Sequence, residues 1–181
     1  GVTVERKEGR FGHISVVDLP GTYSLIQDAH EVGLDHTIAC DFLLSKQVDV
    51  IVNVIDASHL ERHLYLTYEL LDMQRPMIIV LNMMDLVEKQ GVNIDIDALS
   101  QELGCPVIPV SASKKKGIAE LKTAIENYDT TSDAASRSAV VSWPDSVHAF
   151  RNDLAVKLAP AEKKAGHVDW LALRLLENDP Y

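Results

Sequence analysis

Two short and almost uninterrupted apolar runs, residues 48–55 and 77–81, constrain this chain more than anything else in it. The first is rich in Val and Ile with little polar alternation, the pattern of a strand covered on both faces, as in a parallel sheet. Parallel neighbours need a crossover of about a dozen residues or more. One is available, because Leu60, Leu64, Tyr68 and Leu71 fall on a single helical stripe between the runs. The alternation continues with a helix around Leu86, another over 97–103, a short strand over 107–110 and a helix over 118–128. Strands and helices taking turns in this way predict an α/β fold with a doubly wound sheet, whose ligand loops lie at the carboxyl ends of the strands. Pro109 places the last strand at a sheet edge, since proline cannot donate to a ladder.

Ahead of this core lie two strand-like stretches, 3–8 and 12–18, with Glu8-Gly9 as turn residues between them, which predicts a hairpin. Its second strand is expected to be buried and to end at Leu19-Pro20-Gly21. A helix carrying Leu34, Ile38, Phe42 and Leu43 follows. Residues 129–136 are small and polar, as in a linker. Beyond them the spacing of Phe150, Leu154 and Leu158, then Val168, Leu171, Leu175 and Leu176, predicts helices punctuated by Pro160 and Gly166. The expected organisation is one α/β domain over 1–128 and a small, incomplete all-helical domain over 129–181.

The 181 residues are 46% hydrophobic and 24% charged, so the chain is expected to fold around an apolar core. A net charge of −10 disfavours a nonspecific grip on nucleic acid or anionic lipid but leaves room for a single metal-chelated polyanion. No apolar run approaches the ~20 residues that a helical membrane span needs. Cys40 and Cys105 sit in no CxxC or zinc-like spacing and read as buried, reduced thiols of a cytosolic protein. The chain opens on Gly1 with no basic-plus-apolar leader and reads as a piece cut from something longer.

Three polar clusters fall at predicted strand ends. Asp18-Leu19-Pro20-Gly21 is a DxxG, in which the Asp can hold a divalent cation through water and the Gly can offer an unhindered N–H to a terminal phosphate; the alternative is an ordinary turn after a strand. Asn82-Met83-Met84-Asp85 is an NxxD, whose carboxylate can accept from the N1–H and amine of guanine, a donor pair that adenine lacks. The alternative is that Asn82 and Asp85 cap the following helix. Ser111-Ala112-Ser113 can bring a backbone N–H to the guanine oxygen, or can simply open a loop. The last two begin 29 positions apart, room for one helical crossover.

In this order the clusters resemble the translation-factor-related, Ras-like GTPase superfamily, whose motifs run P-loop, switch Thr, DxxG, NKxD and SA. The wording of Gly1-Val2-Thr3-Val4-Glu5, of residues 18–25 and of Asn82-Met83-Met84-Asp85 is similar to the cytosolic G domain of the ferrous iron transport protein B (FeoB) family. The resemblance implies a Ras-like sheet and a GTP-hydrolysing regulatory domain of a bacterial ferrous iron transporter. It makes 1–5 switch I, with the Thr3 hydroxyl on Mg²⁺ and the γ-phosphate and Asp18 on Mg²⁺ through water. It places Leu19, Pro20 and Gly21 near the phosphates, Asn82, Met83, Met84, Asp85, Ser111, Ala112 and Ser113 around the base, and Thr3, Gly21 and Thr22 nearest to hydrolysis. It further implies GTP or GDP with Mg²⁺, a monovalent cation, a transmembrane part of the same transporter as partner, and homo-oligomers. No nucleic-acid partner is expected. The site would lie at the cytoplasmic face of the inner membrane, with the helical tail acting on nucleotide release.

Three departures from the superfamily pattern stand out. Met83 replaces the Lys of NKxD, where a flexible thioether can lie on the base as the Lys stem does. Thr22 stands where many relatives carry a water-orienting Gln, so slow intrinsic hydrolysis is expected. No GxxxxGK[ST] occurs in the 181 residues, and the run Lys114-Lys115-Lys116-Gly117 reads as a solvated turn. By resemblance a central strand belongs between those ending at Asp18 and near Asp56. Each unpaired buried backbone group in that gap would cost ~1–3 kcal/mol, so the chain is expected to be a fragment or to have the gap filled by another segment.

Other features carry bland readings. His59 and His63 lie four apart but lack a third metal ligand. Asp56 reads as a cap for the helix before Leu60, the alternative being a ligand residue, and Trp143 and Trp170 as packing for the tail helices, the alternative being a partner contact. The rival functions are a soluble GTPase of ribosome assembly or tRNA modification, against which the charge weighs, and a fragment that binds no nucleotide and serves as an interaction module.

Overall fold

The structure, a computed structural model, describes residues 7–21, 24–25, 34–45, 48–128, 144–158 and 168–176. The chain divides into two compact units, one of residues 1–48 with 141–181 and the other of residues 49–140. Residues 1–6, Thr22 and the linker stretch 129–136 lie outside the described residues.

The unit of residues 49–140 is the α/β body. Its strands β3 (Ile51–Asp56), β4 (Met77–Asn82) and β5 (Val107–Pro109) form a parallel sheet in the order β3-β4-β5. Helix α2 (Leu60–Asp72) makes the first crossover, α3 (Met84–Lys89) and α4 (Ile96–Leu103) the second, and α5 (Ile118–Glu126) follows β5. The central strand β4 is buried from Met77 to Leu81, as a strand paired on both sides and covered on both faces must be. β5 is the end strand, as Pro109 requires. Asp95 caps α4 by accepting from the Ala98 amide, and Gly104 ends it in the left-handed region.

Strand β3 departs from expectation. Only its Ile51, Asn53 and Ile55 face is buried, whereas Val52 and Val54 are 37% and 59% exposed. Helix α2 is tied to the buried Asn53 face through the bond from Asn53 Nδ2 to Thr67 Oγ1, 3.0 Å. Thr67 therefore takes the innermost place on α2, and Tyr68, assigned by spacing to the inner stripe, is exposed. A buried amide needs a partner more than a phenol needs burial.

The other unit contains the hairpin β1 (Lys7–Phe11) and β2 (Ile14–Asp18), α1 (Leu34–Leu44), α6 (Asp145–Leu158) and α7 (Val168–Leu176). The hairpin turns at Gly12-His13 rather than at Glu8-Gly9, with Gly12 at φ 59°. A two-residue loop of this kind needs a left-handed residue, which glycine supplies without a Cβ penalty. β2 is mostly exposed, not buried, and among the described strands pairs with β1 alone. The helices α6 and α7 pack on each other, with Trp170 buried and the Arg174 guanidinium 5.4 Å from its ring centre.

Candidate functional site

Two loops at the carboxyl ends of β4 and β5 form one hydrogen-bonded unit. Strand β4 carries Asn82 at its tip and delivers Asp85 into the first turn of α3, while β5 leads through Val110 to the loop 111–117. The parallel register, with Leu81 opposite Pro109, brings the two exits side by side. Backbone bonds fasten them: the Val110 amide donates to the Leu81 carbonyl at 2.7 Å, and the Met84 amide donates to the Val110 carbonyl at 3.2 Å.

Side chains complete the junction. Ser111 Oγ donates to Asp85 Oδ1 at 2.7 Å, and the Ala112 amide donates to Asn82 Oδ1 at 3.1 Å. Lys114 Nζ lies 3.7 Å from Asp85 Oδ2. Neither Asn82 nor Asp85 caps α3; the N-cap is Met83, which makes no side-chain cap bond. The capping alternative for this motif is thereby set aside, and both side chains bridge to the neighbouring loop. Met83 sits at φ 64°, a left-handed conformation costing roughly 1–2 kcal/mol outside glycine, and its side chain is exposed beside the junction.

The junction fixes the state of its carboxylate. The Ser111 hydroxyl bond, opposed by burial and reinforced by the Lys114 charge, holds Asp85 below its ordinary value of 3.8, so it is ionised at neutral pH. Asp85 is 9% exposed, and each carboxylate oxygen has about two lone-pair directions. With Ser111 occupying one on Oδ1, both oxygens keep acceptor capacity for a paired donor such as the edge of guanine.

The loop 111–117 is itself braced. The amides of Ser111 and Lys116 each donate to the other's carbonyl at 3.1 Å. Gly117 closes it at φ 77°, where a Cβ would stand 2.2 Å from the Pro109 carbonyl oxygen, so no other residue fits. Lys114, read from sequence as part of a solvated turn, is within reach of the carboxylate. Its one sequence signal is its place three residues after Ser111.

The remaining candidates divide as follows. Asn82, Met83, Met84, Asp85, Ser111, Ala112 and Ser113 are brought together, with Ser113 Oγ 3.4 Å from Ser111 Oγ. Asp18 and Gly21 are exposed and Leu19 and Pro20 half-buried, in the unit of the hairpin. Gly1, Val2, Thr3, Val4, Glu5 and Thr22 lie outside the described residues. Asp56 does cap the turn that follows β3, accepting at Oδ1 from the Ser58 amide and hydroxyl at 2.9 and 2.6 Å. His59 Nδ1 lies 3.1 Å from its Oδ2. Among the described residues no group of three metal-ligating side chains occurs. Cys40 and Cys105 are buried and form no disulfide, and burial pushes the Cys105 thiol up to about 11.

Against known proteins, residues 1–125 match the family profile described as ferrous iron transport protein B. The chain belongs to that family. It is 44% identical over 185 aligned residues to the Fe(2+) transporter FeoB of Escherichia coli K12, covering 100% of this chain and 23% of the relative. The chain thus spans about a quarter of the length of the curated FeoB proteins it matches. Among solved structures it is similar to the cytosolic domain of L. pneumophila FeoB, with TM-score 0.86, 36% identity, and coverage of 99% of this chain and 77% of that one. The T. maritima FeoB cytosolic domain in its GMPPNP form matches with TM-score 0.85 and 33% identity, covering 99% and 70%. Its GDP form II gives 0.86, 33%, 99% and 70%. The α/β fold with a parallel sheet is that of FeoB G domains. Neither the ribosome-assembly reading nor the interaction-module reading is favoured by these likenesses.

Proposed function

We propose that this chain is the guanine-reading part of a GTP-binding, slowly GTP-hydrolysing regulatory domain of a ferrous iron transporter. The observation that carries the reading is the bond between Ser111 and Asp85, 2.7 Å, which joins two sequence motifs 26 positions apart into one acceptor site. GDP and GMPPNP forms of the T. maritima relative support a guanine nucleotide as its ligand. Asp85 would accept from N1–H and the 2-amine, while Met83 covers one face of the ring and Asn82 ties the base turn to the Ser111-Ala112-Ser113 loop.

Phosphate and metal chemistry is assigned to the other motifs. A carboxylate at a strand end and a threonine hydroxyl are hard oxygen donors of the kind Mg²⁺ takes, and Asp18 and Thr3 would hold it, the former through water. Such an ion neutralises phosphate charge. Leu19-Pro20-Gly21 would face the terminal phosphate with the Gly21 amide, and Gly1, Val2, Val4 and Glu5 would move with Thr3. With Thr22 in place of a glutamine, water is positioned poorly and turnover is slow. A monovalent cation would add positive charge at the same phosphates. The phosphate cradle itself would come from outside these 181 residues.

In this reading residues 1–128 form the G domain and 129–181 the start of a helical domain. Hydrolysis would order and release the segments around Thr3 and Gly21, and that change would pass to a transmembrane part of the same protein at the cytoplasmic face of the membrane. The protein would act without nucleic acid and would self-associate. The deciding experiment is Asp85→Asn in the intact protein, which exchanges acceptors for one acceptor and one donor. GDP affinity should fall roughly 100- to 1,000-fold, with xanthosine diphosphate becoming the preferred ligand. An unchanged preference in competition binding removes Asp85 from the site.

A further inference from the structure

The register of the hairpin sets two opposite charges against each other. Lys7 stands directly across from Asp18, and residues so paired leave an antiparallel ladder side by side on one face. Side chains alternate between faces along each strand, which puts Gly9, Phe11, Ile14 and Val16 on that face with them. Lys7 is therefore the one cation, and Asp18 the one carboxylate, among the six hairpin residues that share this face. The other charges of β1, Glu8 and Arg10, belong to the opposite face, across from Val17 and Ser15. Room lies beside the pair, since a Cβ added at Gly9 would meet nothing within 4 Å.

We propose that Lys7 is a positioning residue whose ammonium is the resident counter-ion of Asp18 and weakens the hold of that carboxylate on a divalent cation. The proposal rests on the reading of Asp18 given above, in which the carboxylate holds Mg²⁺ through water. Cross-strand neighbours have Cβ atoms about 4.5–5.5 Å apart, a distance that a lysine stem spans with its three donors at the tip. Positive charges gathered at one carboxylate repel each other. Asp18 can thus accept a divalent cation only by releasing the ammonium or by sharing its oxygens with it. With no metal there, the same ammonium gives the carboxylate a positive neighbour from its own hairpin.

The size of the effect follows from exposure. Lys7 and Asp18 are both exposed, and no direct ion pair is formed between them. Water and salt screen their attraction, which is that of a surface pair rather than of a buried one. Lys7 therefore tunes the grip of Asp18 and does not abolish it.

The test uses the intact protein loaded with a fluorescent GDP and titrated with Mg²⁺, the nucleotide's fluorescence reporting the metal. Lys7→Met should raise Mg²⁺ affinity about two- to fivefold, the scale of an exposed opposite-charge pair, and the gain should shrink at high salt. Lys7→Arg should keep the wild-type value. Arg10→Met removes one positive charge from the same strand on the other face and should change the affinity less than about 1.5-fold. In an Asp18→Asn background the gain from Lys7→Met should vanish. Unchanged affinity in Lys7→Met would overturn the proposal. So would a weaker hold on Mg²⁺, which would make Lys7 a partner of the phosphates instead of a competitor. An equal gain in Arg10→Met would overturn it by showing that the net charge acts and not the pair, and a gain that survives Asp18→Asn would do the same. If Asp18→Asn by itself leaves Mg²⁺ affinity unaltered, the metal-holding reading of Asp18 fails and takes the proposal with it, a result distinguishable from each of these.

Discussion

The junction around Asp85 and the hairpin that carries Asp18 represent opposite ways of presenting a carboxylate. Asp85 is buried, ionised and hydrogen-bonded, and sits between two loops stitched together by backbone and side chain. Asp18 stands exposed at the end of a strand that pairs on one side only. The first arrangement is complete within residues 49–140 and braced by its own hydrogen bonds. The second has looser support, which would suit the proposed role of a group that senses metal and phosphate and lets go of them. Recognition of the base would thus be preorganised, while sensing of the phosphate would depend on parts brought in by the ligand and by the rest of the protein.

The most severe way to break that contrast is to separate the two tasks. Fluorescent GDP titrated against the 181-residue chain and against the intact protein should differ by roughly a thousandfold or more if, as proposed, the phosphates are held chiefly by a GxxxxGK[ST] cradle, which these residues do not contain. Equal, tight binding would mean that the phosphates contribute little and that the contrast is misplaced. Next in size is Gly117→Ala. A Cβ forced against the Pro109 carbonyl in a left-handed conformation should shift the loop at a cost of about 2 kcal/mol, with GDP affinity in the intact protein falling roughly 30-fold. Unaltered affinity would show that the loop's closure is irrelevant to the base.

Ser111→Ala probes the same junction more gently. Its hydroxyl bond is the leading cause of Asp85's lowered pKa. The native bond is therefore fully present at neutral pH and is lost as pH falls through the depressed value. The variant should titrate Asp85 closer to 3.8 in a carboxyl NMR titration and lose about fivefold in GDP affinity. A titration that moves the other way would contradict the stated cause. The smallest effect on binding is expected from Asp56→Ala, which removes a cap and should cost ~1 kcal/mol in thermal or denaturant unfolding while changing GDP affinity less than twofold.

The elements of the α/β body were legible because their periodicities are strong. The runs at 77–81 and 107–110 and the stripes of α4 and α5 appear where spacing puts them. What periodicity cannot report is which face meets a neighbour. Val52 and Val54 look like core residues in one dimension yet are exposed, and Tyr68 outranks Thr67 on any hydrophobic scale, yet the Asn53–Thr67 bond puts Thr67 inside. The hairpin turn moved for a similar reason. Gly9 and Gly12 are equally permissive, and only the pairing of Lys7 with Asp18 through Phe11 with Ile14 decides between them. In the candidate site the order of the motifs announced Asn82, Asp85 and Ser111, because strand-end polar clusters are rare enough to count. Lys114 was hidden in a run of three lysines, where each looks like a charge turned to water.

Met83 carries a consequence for variation among relatives. Its backbone at φ 64° is open to glycine and asparagine and tolerable for an unbranched chain, but a β-branched residue there is a steric outlier. Mutational drift between Asn82 and Met84 is therefore channelled by backbone shape before any contact with a base is considered. Valine and isoleucine, which together fill half of the strand just before it, should be the ones natural selection keeps out.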